Sequence, residues 1–398
     1  MVEVAPAGSI RIGFVLTELV GGGAERTMLS IIDALDRRRF APTLIVFDAR
    51  QDHAPPKDVP IVVLSRRGAT GPGRLISRAR QLARAVERER LDLLVSFLIG
   101  PNIVALAAGR LAKVPVIIGE RSAPAAVLSS ANTQLRGRSL WAALVRFMYP
   151  RASRIITNTS GAKAELVESL RVPAERIAVV PNPVDLDRIK TMAAEPLDPG
   201  TEWPDGPVLV HVGRFTIAKD HETLLNAFAL IRRRRRATLV LVGDGEDEAR
   251  VRELTRTLGL ESDVVFTGFT RNPYRYLSRA TVSVLTSRFE GLPNVLIESM
   301  ALGAPIVSTA CQYGPVEILG DNEYGVLTPV GDANAFAAAV EALLDDPARQ
   351  REFAERGRVR AVDFDRRRVG PEYEHLFAQT AAHSGAIPHV KSSRASST

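Results

Sequence analysis

Residues 10–35 read IRIGFVLTELVGGGAERTMLSIIDAL, and three features of this stretch set the architecture. Ile10 to Leu16 is a short apolar run rich in β-branched residues, Gly21-Gly22-Gly23 follows it, and Met28, Ile31, Ile32 and Leu35 then recur at helical spacing. The order is strand, glycine loop, helix. Strand-like runs at Thr43–Phe47, Ile61–Leu64, Leu93–Phe97, Val114–Ile118, Arg154–Thr157 and Ile177–Val180 alternate with helical stretches, the pattern of a parallel sheet covered on both faces. Six prolines and little periodicity between Pro181 and Pro207 predict a linker or hinge. A second series then begins, with strands at Val208–Val212, Thr238–Val242, Val264–Thr267, Val282–Thr286, Pro305–Ser308 and Val326–Leu327. Its helices start near Asp220, Glu246, Asn272, Pro293 and Asp332. The expected fold class is α/β: two doubly wound parallel-sheet domains, 1–185 and 186–363, facing across a cleft and binding ligands beyond the carboxyl ends of their strands. The segment 384–398 is small and polar and reads as a disordered basic tail.

Composition narrows the class. At 398 residues the chain is long for a single core, and 45% hydrophobic with 24% charged residues is globular. One cysteine, Cys311, excludes an internal disulfide and the cysteine-rich zinc spacings, and fits a reducing compartment. No apolar run reaches the roughly 18 residues of a membrane span, and residues 1–8 lack the regions of a signal peptide. A cytoplasmic protein, soluble or peripheral on the inner membrane face, is expected. The net charge of +7 calls for an anionic partner. Nucleic acid is disfavoured, because aromatic residues are only 6% and show no stacking arrangement amid the basic residues.

Three stretches of the second domain place functional groups at strand ends. In His211-Val212-Gly213-Arg214-Phe215 with Lys219-Asp220, glycine permits close backbone approach and two cations precede a helix, a setting suited to a diphosphate or, failing that, an ordinary charged loop. In Glu290-Gly291-Leu292-Pro293-Asn294-Val295-Leu296-Ile297-Glu298, proline at the expected first helical position starts a helix, and the amides around Gly291, Leu292 and Asn294 face outward toward phosphate or sugar oxygens. Glu290 and Glu298 can each accept hydroxyl hydrogen bonds, or serve as a cap and an exposed helical carboxylate. Gly243-Asp244-Gly245 is a weaker signal, as compatible with a simple turn. Gly22, Gly23 and Glu25 would put a helix N-terminus at the cleft, where donor phosphate or acceptor comes close, or form a structural loop. The G-x-G-x-x-G and G-K-[ST] fingerprints of other nucleotide folds are absent.

Together these stretches resemble the retaining GT-B glycosyltransferases of family four, from the glycine loop through Val179-Val180-Pro181-Asn182-Pro183-Val184-Asp185 to Val330-Gly331-Asp332. The most specific part is Ser287–Glu298, whose two glutamates are separated by seven residues, as in the family signature. The resemblance implies two Rossmann-like domains, with 364–383 crossing back to the first. It implies a nucleotide-sugar donor, UDP before GDP, and a glycan or polyprenyl-diphosphate-linked acceptor. It implies Glu290 beside the donor sugar, Glu298 at the ribose, and Arg214 and Lys219 on the diphosphate, with Gly213, Gly243 and Gly291–Asn294 lining the donor site. These cations and amides would replace a metal ion where charge develops, so no metal or other cofactor is expected. An epimerase or hydrolase of the same fold, or a non-catalytic binding protein, is the alternative. Many relatives carry a donor-contacting histidine in the first domain, whereas this chain has only His53 before the hinge. Asn102, Glu120 and Arg121 occupy the corresponding strand ends and become candidates for acceptor or donor-sugar contacts, or for polar groups in a buried loop.

Five further features invite a reading. Asp185-Leu186-Asp187 has the form of a D-x-D metal motif but lacks further ligands nearby. Arg232–Arg236 reads as the cationic end of a helix. Arg136–Arg154 interleaves Leu140, Trp141, Leu144, Val145, Phe147 and Met148 with arginines, the composition of a helix on an anionic membrane or of one packed on its own domain. Cys311 reads as a packed small side chain, and Gly314, Pro315 and Glu317 as a loop that shapes the site.

Overall fold

The computed structural model describes residues 8–19, 23–50, 56–64, 72–121, 138–197 and 202–382. Gly21, Gly22, His53, Arg136 and the tail segment 384–398, all singled out above, lie outside these residues.

The first sheet holds β1 (Ile10–Leu16), β2 (Phe40–Val46), β3 (Ile61–Val63), β4 (Leu93–Phe97), β5 (Val116–Glu120), β6 (Arg154–Thr157) and β7 (Ile177–Val179). All pairings are parallel, in the order β3-β2-β1-β4-β5-β6-β7. The central strands are apolar on both faces, and helices α1 (Gly23–Ala34), α2 (Pro72–Glu89), α3 (Ile99–Ala112), α4 (Arg138–Met148) and α5 (Ser160–Leu170) belong to the layers that bury them.

After α6 (Leu186–Ala193) the second sheet follows: β8 (Val208–Val212), β9 (Thr238–Val242), β10 (Val264–Gly268), β11 (Val282–Leu285), β12 (Ile306–Thr309) and β13 (Val326–Thr328). It is also parallel, in the order β10-β9-β8-β11-β12-β13. Its helices are α7 (His221–Arg232), α8 (Glu248–Thr257), α9 (Tyr274–Leu277), α10 (Asn294–Leu302), α11 (Gly314–Leu319), α12 (Ala333–Leu344) and α13 (Pro347–Ala361). Aspartates start several of them: Asp185, Asp220, Asp332 and Asp346 each accept a backbone N–H of the first turn, which satisfies one of the donors a helix leaves open. In both sheets the strand order reverses beside the central strand, between β1 and β4 and between β8 and β11. Such reversals open the crevices in which doubly wound sheets take ligands.

The last helix, α14 (Arg366–Ala382), lies on the first sheet, where Val369, Tyr373, Leu376 and Phe377 enter the core and the Phe377 ring meets Phe14 edge-on at 5.9 Å. The two chain crossings run side by side: Val184 N–H donates to the Phe364 carbonyl and Arg366 N–H to the Val184 carbonyl.

Two details depart from the sequence reading. The Pro181–Pro207 segment is not wholly irregular, because α6 forms inside it. Asp185 caps this helix and Leu186, Ile189 and Ala193 are buried, a short helical stripe that the prolines on either side obscure. Pro293 stands at the cap of α10 rather than inside its first turn, with ψ of 102° and the helix beginning at Asn294.

Candidate functional site

The reversal point of the second sheet is built by two loops. The loop after β8 carries Gly213, Arg214 and Lys219, and the loop after β11 carries Ser287 to Pro293. Gly243, at the end of β9 with φ of +138°, lies beneath the first loop, and a Cβ there would stand 2.1 Å from the Gly213 carbonyl oxygen. Gly243 therefore serves close backbone packing, and Phe215 N–H donating to the Asp244 carbonyl ties the same two loops.

Lys219 is fixed from its backbone outward. Thr286 Oγ1 donates to the Lys219 carbonyl (3.0 Å), and Arg288 Nε pairs with Asp220 at 3.0 Å. The Lys219 ammonium then reaches Glu290 Oε1 at 2.5 Å, and Ser287 Oγ donates to the same oxygen at 2.7 Å. The pair is mostly screened from solvent, so each charge depends on the other for its solvation. Arg214 behaves differently: its side chain is 68% exposed and only loosely paired with Glu246, which leaves a cation over the cleft. Cys311 is buried nearby and its thiol is pushed up to about 12, chiefly by burial, so it is an inert packing group.

Two buried imidazoles underlie this loop. His211 Nδ1–H donates to the Val284 carbonyl at 3.1 Å, and His221 stacks on the Phe215 ring at 4.4 Å. Burial holds His221 down at about 4 and His211 well below the usual imidazole range, with the Lys219 ammonium adding to both. Both imidazoles are therefore neutral beneath a cationic loop. An unfolded chain takes up these protons below about pH 6.5 while the folded one refuses them, so their contribution is intact above that pH and is lost toward pH 4. For His221 the loss amounts to about 3 kcal/mol across that window. Urea midpoints between pH 7 and 4.5 should show this acid loss, and His221→Phe should flatten it. An unchanged slope in that variant would contradict the assignment.

Glu298 lies one helical stretch beyond Glu290 and is 5% exposed. Burial raises its carboxyl above the usual range, opposed by the Arg26 guanidinium and by Tyr274. Tyr274 OH donates to Glu298 Oε1 at 3.4 Å, and Arg26 of α1 approaches the same oxygen at 4.0 Å across the cleft.

The first domain supplies the opposite wall. Gly23 opens α1, and Glu25 in its first turn is buried with its carboxyl raised by desolvation, while Arg214 of the other domain pulls it down. Gly291 meets this wall directly: a Cβ on it would lie 1.9 Å from the Arg121 carbonyl oxygen. The Arg121 guanidinium sits 4.0 Å over the Phe97 ring and donates to Asn182 Oδ1 and to the Tyr373 hydroxyl, both at 3.1 Å. Glu120 accepts from Tyr149 OH at 3.1 Å and is 3% exposed. Asn102, read above as a possible contact for acceptor or sugar, is instead wholly buried: Ser96 Oγ donates to its carbonyl, and its amide donates to the Gly119 carbonyl and Tyr149 OH. The domains also touch where Glu317 of α11 accepts from Ser160 N–H at 2.6 Å and Gly161 N–H at 3.2 Å, capping α5 from the other side of the cleft.

The D-x-D motif and the arginine run resolve as structure. Asp185 caps α6 and pairs with Arg366, and Asp187 pairs with Arg367. Helix α7 ends at Arg232, and the arginine run pairs with Asp263, Glu341 and Asp345. In α4, Val145 is in the core and Trp141, Leu144 and Met148 lean on it, while Phe147 is 60% exposed with the Arg151 guanidinium over its ring. Among the described residues no helix is long and apolar enough to cross a membrane.

Comparison with known proteins places this geometry. The family model "Glycosyltransferase Family 4" matches residues 21–188 and "Glycosyl transferases group 1" matches residues 197–360, so the two halves of the pattern account for most of the chain. The chain belongs to the family 4 glycosyltransferases. It is 25% identical over 363 residues to the N-acetylgalactosamine-N,N'-diacetylbacillosaminyl-diphospho-undecaprenol 4-alpha-N-acetylgalactosaminyltransferase of Campylobacter jejuni, covering 90% of this chain and 97% of that protein. It is 35% identical over 225 residues to the lipopolysaccharide core biosynthesis glycosyltransferase LpsE of Rhizobium meliloti, covering 56% of this chain and 64% of LpsE. In fold it is similar to Anabaena HepE in complex with UDP, with a TM-score of 0.74 at 19% identity over 93% of this chain and all of that one.

Within this glycosyltransferase the structure brings Lys219, Glu290, Gly213 and Gly291 together and sets Glu298 on the same helix as the Asn294 turn. Sequence reasoning gave no role to Arg26, Tyr274, Ser287 or Asn182. Arg26 adjoins Glu25 at the glycine loop, and Asn182 lies in the quoted hinge motif, so both had a local signal; the partners that give them meaning are distant in sequence.

Proposed function

We propose that this glycosyltransferase transfers a sugar with retention of anomeric configuration, without a metal ion, from a UDP-sugar to a lipid-linked glycan. The observation that carries the donor site is the Lys219–Glu290 pair at the sheet reversal, 2.5 Å apart, with Arg214 exposed beside it. Cleavage of the sugar–phosphate bond leaves negative charge on the nucleoside diphosphate and positive character on the ring. Arg214, Lys219 and the amides of the Gly291–Asn294 turn act on the first, and the Glu290 carboxylate acts on the second. Cations already in place supply the charge that a metal would otherwise supply. Glu298 takes the ribose hydroxyls. The Campylobacter relative acts on a diphospho-undecaprenol substrate and HepE holds UDP, which supports the acceptor and donor classes. A lipid-linked acceptor brings the protein to an anionic membrane face, for which exposed Phe147 and its arginine neighbours are suited.

The test is transfer from UDP-sugars to a diphospholipid glycan in excess EDTA, with the product's anomeric configuration read by NMR. An α-linked product from an α-linked donor supports the reading; an inverted product or abolition by EDTA overturns the corresponding part. Affinity for UDP should also fall on acidification at a pH above the ordinary carboxyl value, because Glu298 accepts hydroxyl hydrogen bonds best as a carboxylate and its pKa is raised. Calorimetric titration from pH 8 to 5 checks this, and Glu298→Gln should bind weakly with little dependence on pH.

A further inference from the structure

Asn182 stands where the chain first crosses between the two sheets, flanked by Pro181 and Pro183 and 4% exposed. The two prolines restrict the backbone around it and offer no N–H, so its side-chain amide is the polar group of this tripeptide free to bind in both directions. Its Oδ1 accepts from the Arg121 guanidinium at 3.1 Å. Its Nδ2 donates to Asn294 Oδ1 at 2.7 Å and to the Leu292 carbonyl at 3.3 Å. One amide thus joins the first domain to the turn that opens α10.

The partner on the first domain is itself held. The Arg121 guanidinium lies over Phe97 and donates to Tyr373 OH, while Tyr373 OH donates to the Pro181 carbonyl at 3.1 Å. The Arg121 carbonyl faces Gly291, at the start of the turn whose later residues Asn182 holds. The turn is therefore gripped at Gly291 by backbone contact and at Leu292 and Asn294 by hydrogen bonds, and both grips lead back to Arg121.

We infer that Asn182 is a positioning residue for transfer, which couples closure of the first domain, through Arg121, to the placement of the Gly291–Asn294 turn. This rests on the reading of that turn as part of the donor site. Asn182 itself touches no reacting atom. The chemistry of the position demands an amide: the side toward Arg121 needs an acceptor, and the side toward Leu292 and Asn294 needs a donor. An aspartate would keep the first contact and set an oxygen against the Leu292 carbonyl. The ribose contact at Glu298 lies farther along α10 and does not run through Asn182.

The test uses the full chain with Asn182→Asp, Asn182→Ala, Asn294→Ala and the double alanine variant. Misplacement of the turn should lower kcat about 100-fold in Asn182→Ala, while Kd for UDP, which Arg214, Lys219 and Glu298 also hold, rises by less than about 10-fold. Asn182→Asp, which retains the Arg121 contact, should show the same split. The double alanine variant should lose little more than Asn182→Ala alone, since that substitution already breaks the contact with Asn294. Hydrogen exchange without substrate should quicken in peptides covering 290–297 and remain unchanged in β1. Unchanged exchange at 290–297, additive losses, or equal falls in kcat and UDP affinity with exchange raised throughout the chain would overturn the coupling. Should the wild-type protein transfer sugar from no donor, the transferase reading fails, and the exchange measurement alone still decides whether Asn182 holds the turn.

Discussion

Replacing Lys219 by alanine is expected to lower turnover about 1,000-fold, the scale of removing a fixed charge from the point where leaving-group charge develops. Two physical effects combine. On the proposed reading the variant loses the ammonium that faces the diphosphate, and it strands Glu290, whose Oε1 otherwise lies 2.5 Å from Nζ and keeps the Ser287 hydroxyl as its donor. Lys219→Arg should recover part of the rate, because the charge returns but the wider guanidinium must fit beside Gly213, where a Cβ would already stand 3.2 Å from Lys219 Cε. Single-turnover release of UDP from donor, measured at saturating donor, separates this loss from weakened binding. A Lys219→Ala enzyme with near wild-type single-turnover rate would remove Lys219 from the chemistry.

Gly291→Ala is expected to be the most damaging single methyl group in the cleft. The added Cβ would fall 1.9 Å from the Arg121 carbonyl oxygen, which is backbone and cannot swing aside. The strain is steric and crosses domains, unlike Gly243, where a positive φ of +138° adds a conformational penalty within the second domain. The domains must move apart by the excess, and a misplacement near 1 Å at a reacting centre costs about 100-fold in rate. Small-angle scattering should show a larger radius of gyration for Gly291→Ala, with UDP still bound through Glu298. Wild-type dimensions and rate would show that the contact is not made during catalysis.

Local patterns in the sequence carried the fold well. The apolar run Ile10–Leu16 is β1 to the residue, and Val208–Val212 and Thr238–Val242 are β8 and β9. Asp220 and Asp332 mark helix starts through capping, a signal confined to four residues. Helix α6 was hidden because eight residues between proline-rich flanks give too short a period to stand out. Asn102 was left between two readings for a different reason: a polar residue just past a strand end has the same local pattern whether its amide turns to the cleft or, as here, to Ser96 and Tyr149. The candidate site was legible where glycine, proline and charge cluster in one loop, as at Glu290–Asn294. It was not legible where a contact joins the domains, as in Arg26 with Glu298, Asn182 with Asn294 and Glu317 with the start of α5. Such pairs leave no spacing in the chain, since their distance is set by how two sheets face each other.

On the proposed reading, the reversal point of the second sheet holds a nucleotide-sugar through Arg214, Lys219 and Glu298. Calorimetric titration of UDP into the metal-free protein, beside Arg214→Ala and Glu298→Ala, tests it most directly. The expected result is saturable binding with EDTA present, weakened about 10-fold or more in each variant, since hydrogen bonds to charged groups contribute about 1.5–3 kcal/mol. Binding of equal strength in all three proteins, or none in the wild type under any of UDP, GDP and ADP, would rule out a donor site at this reversal point.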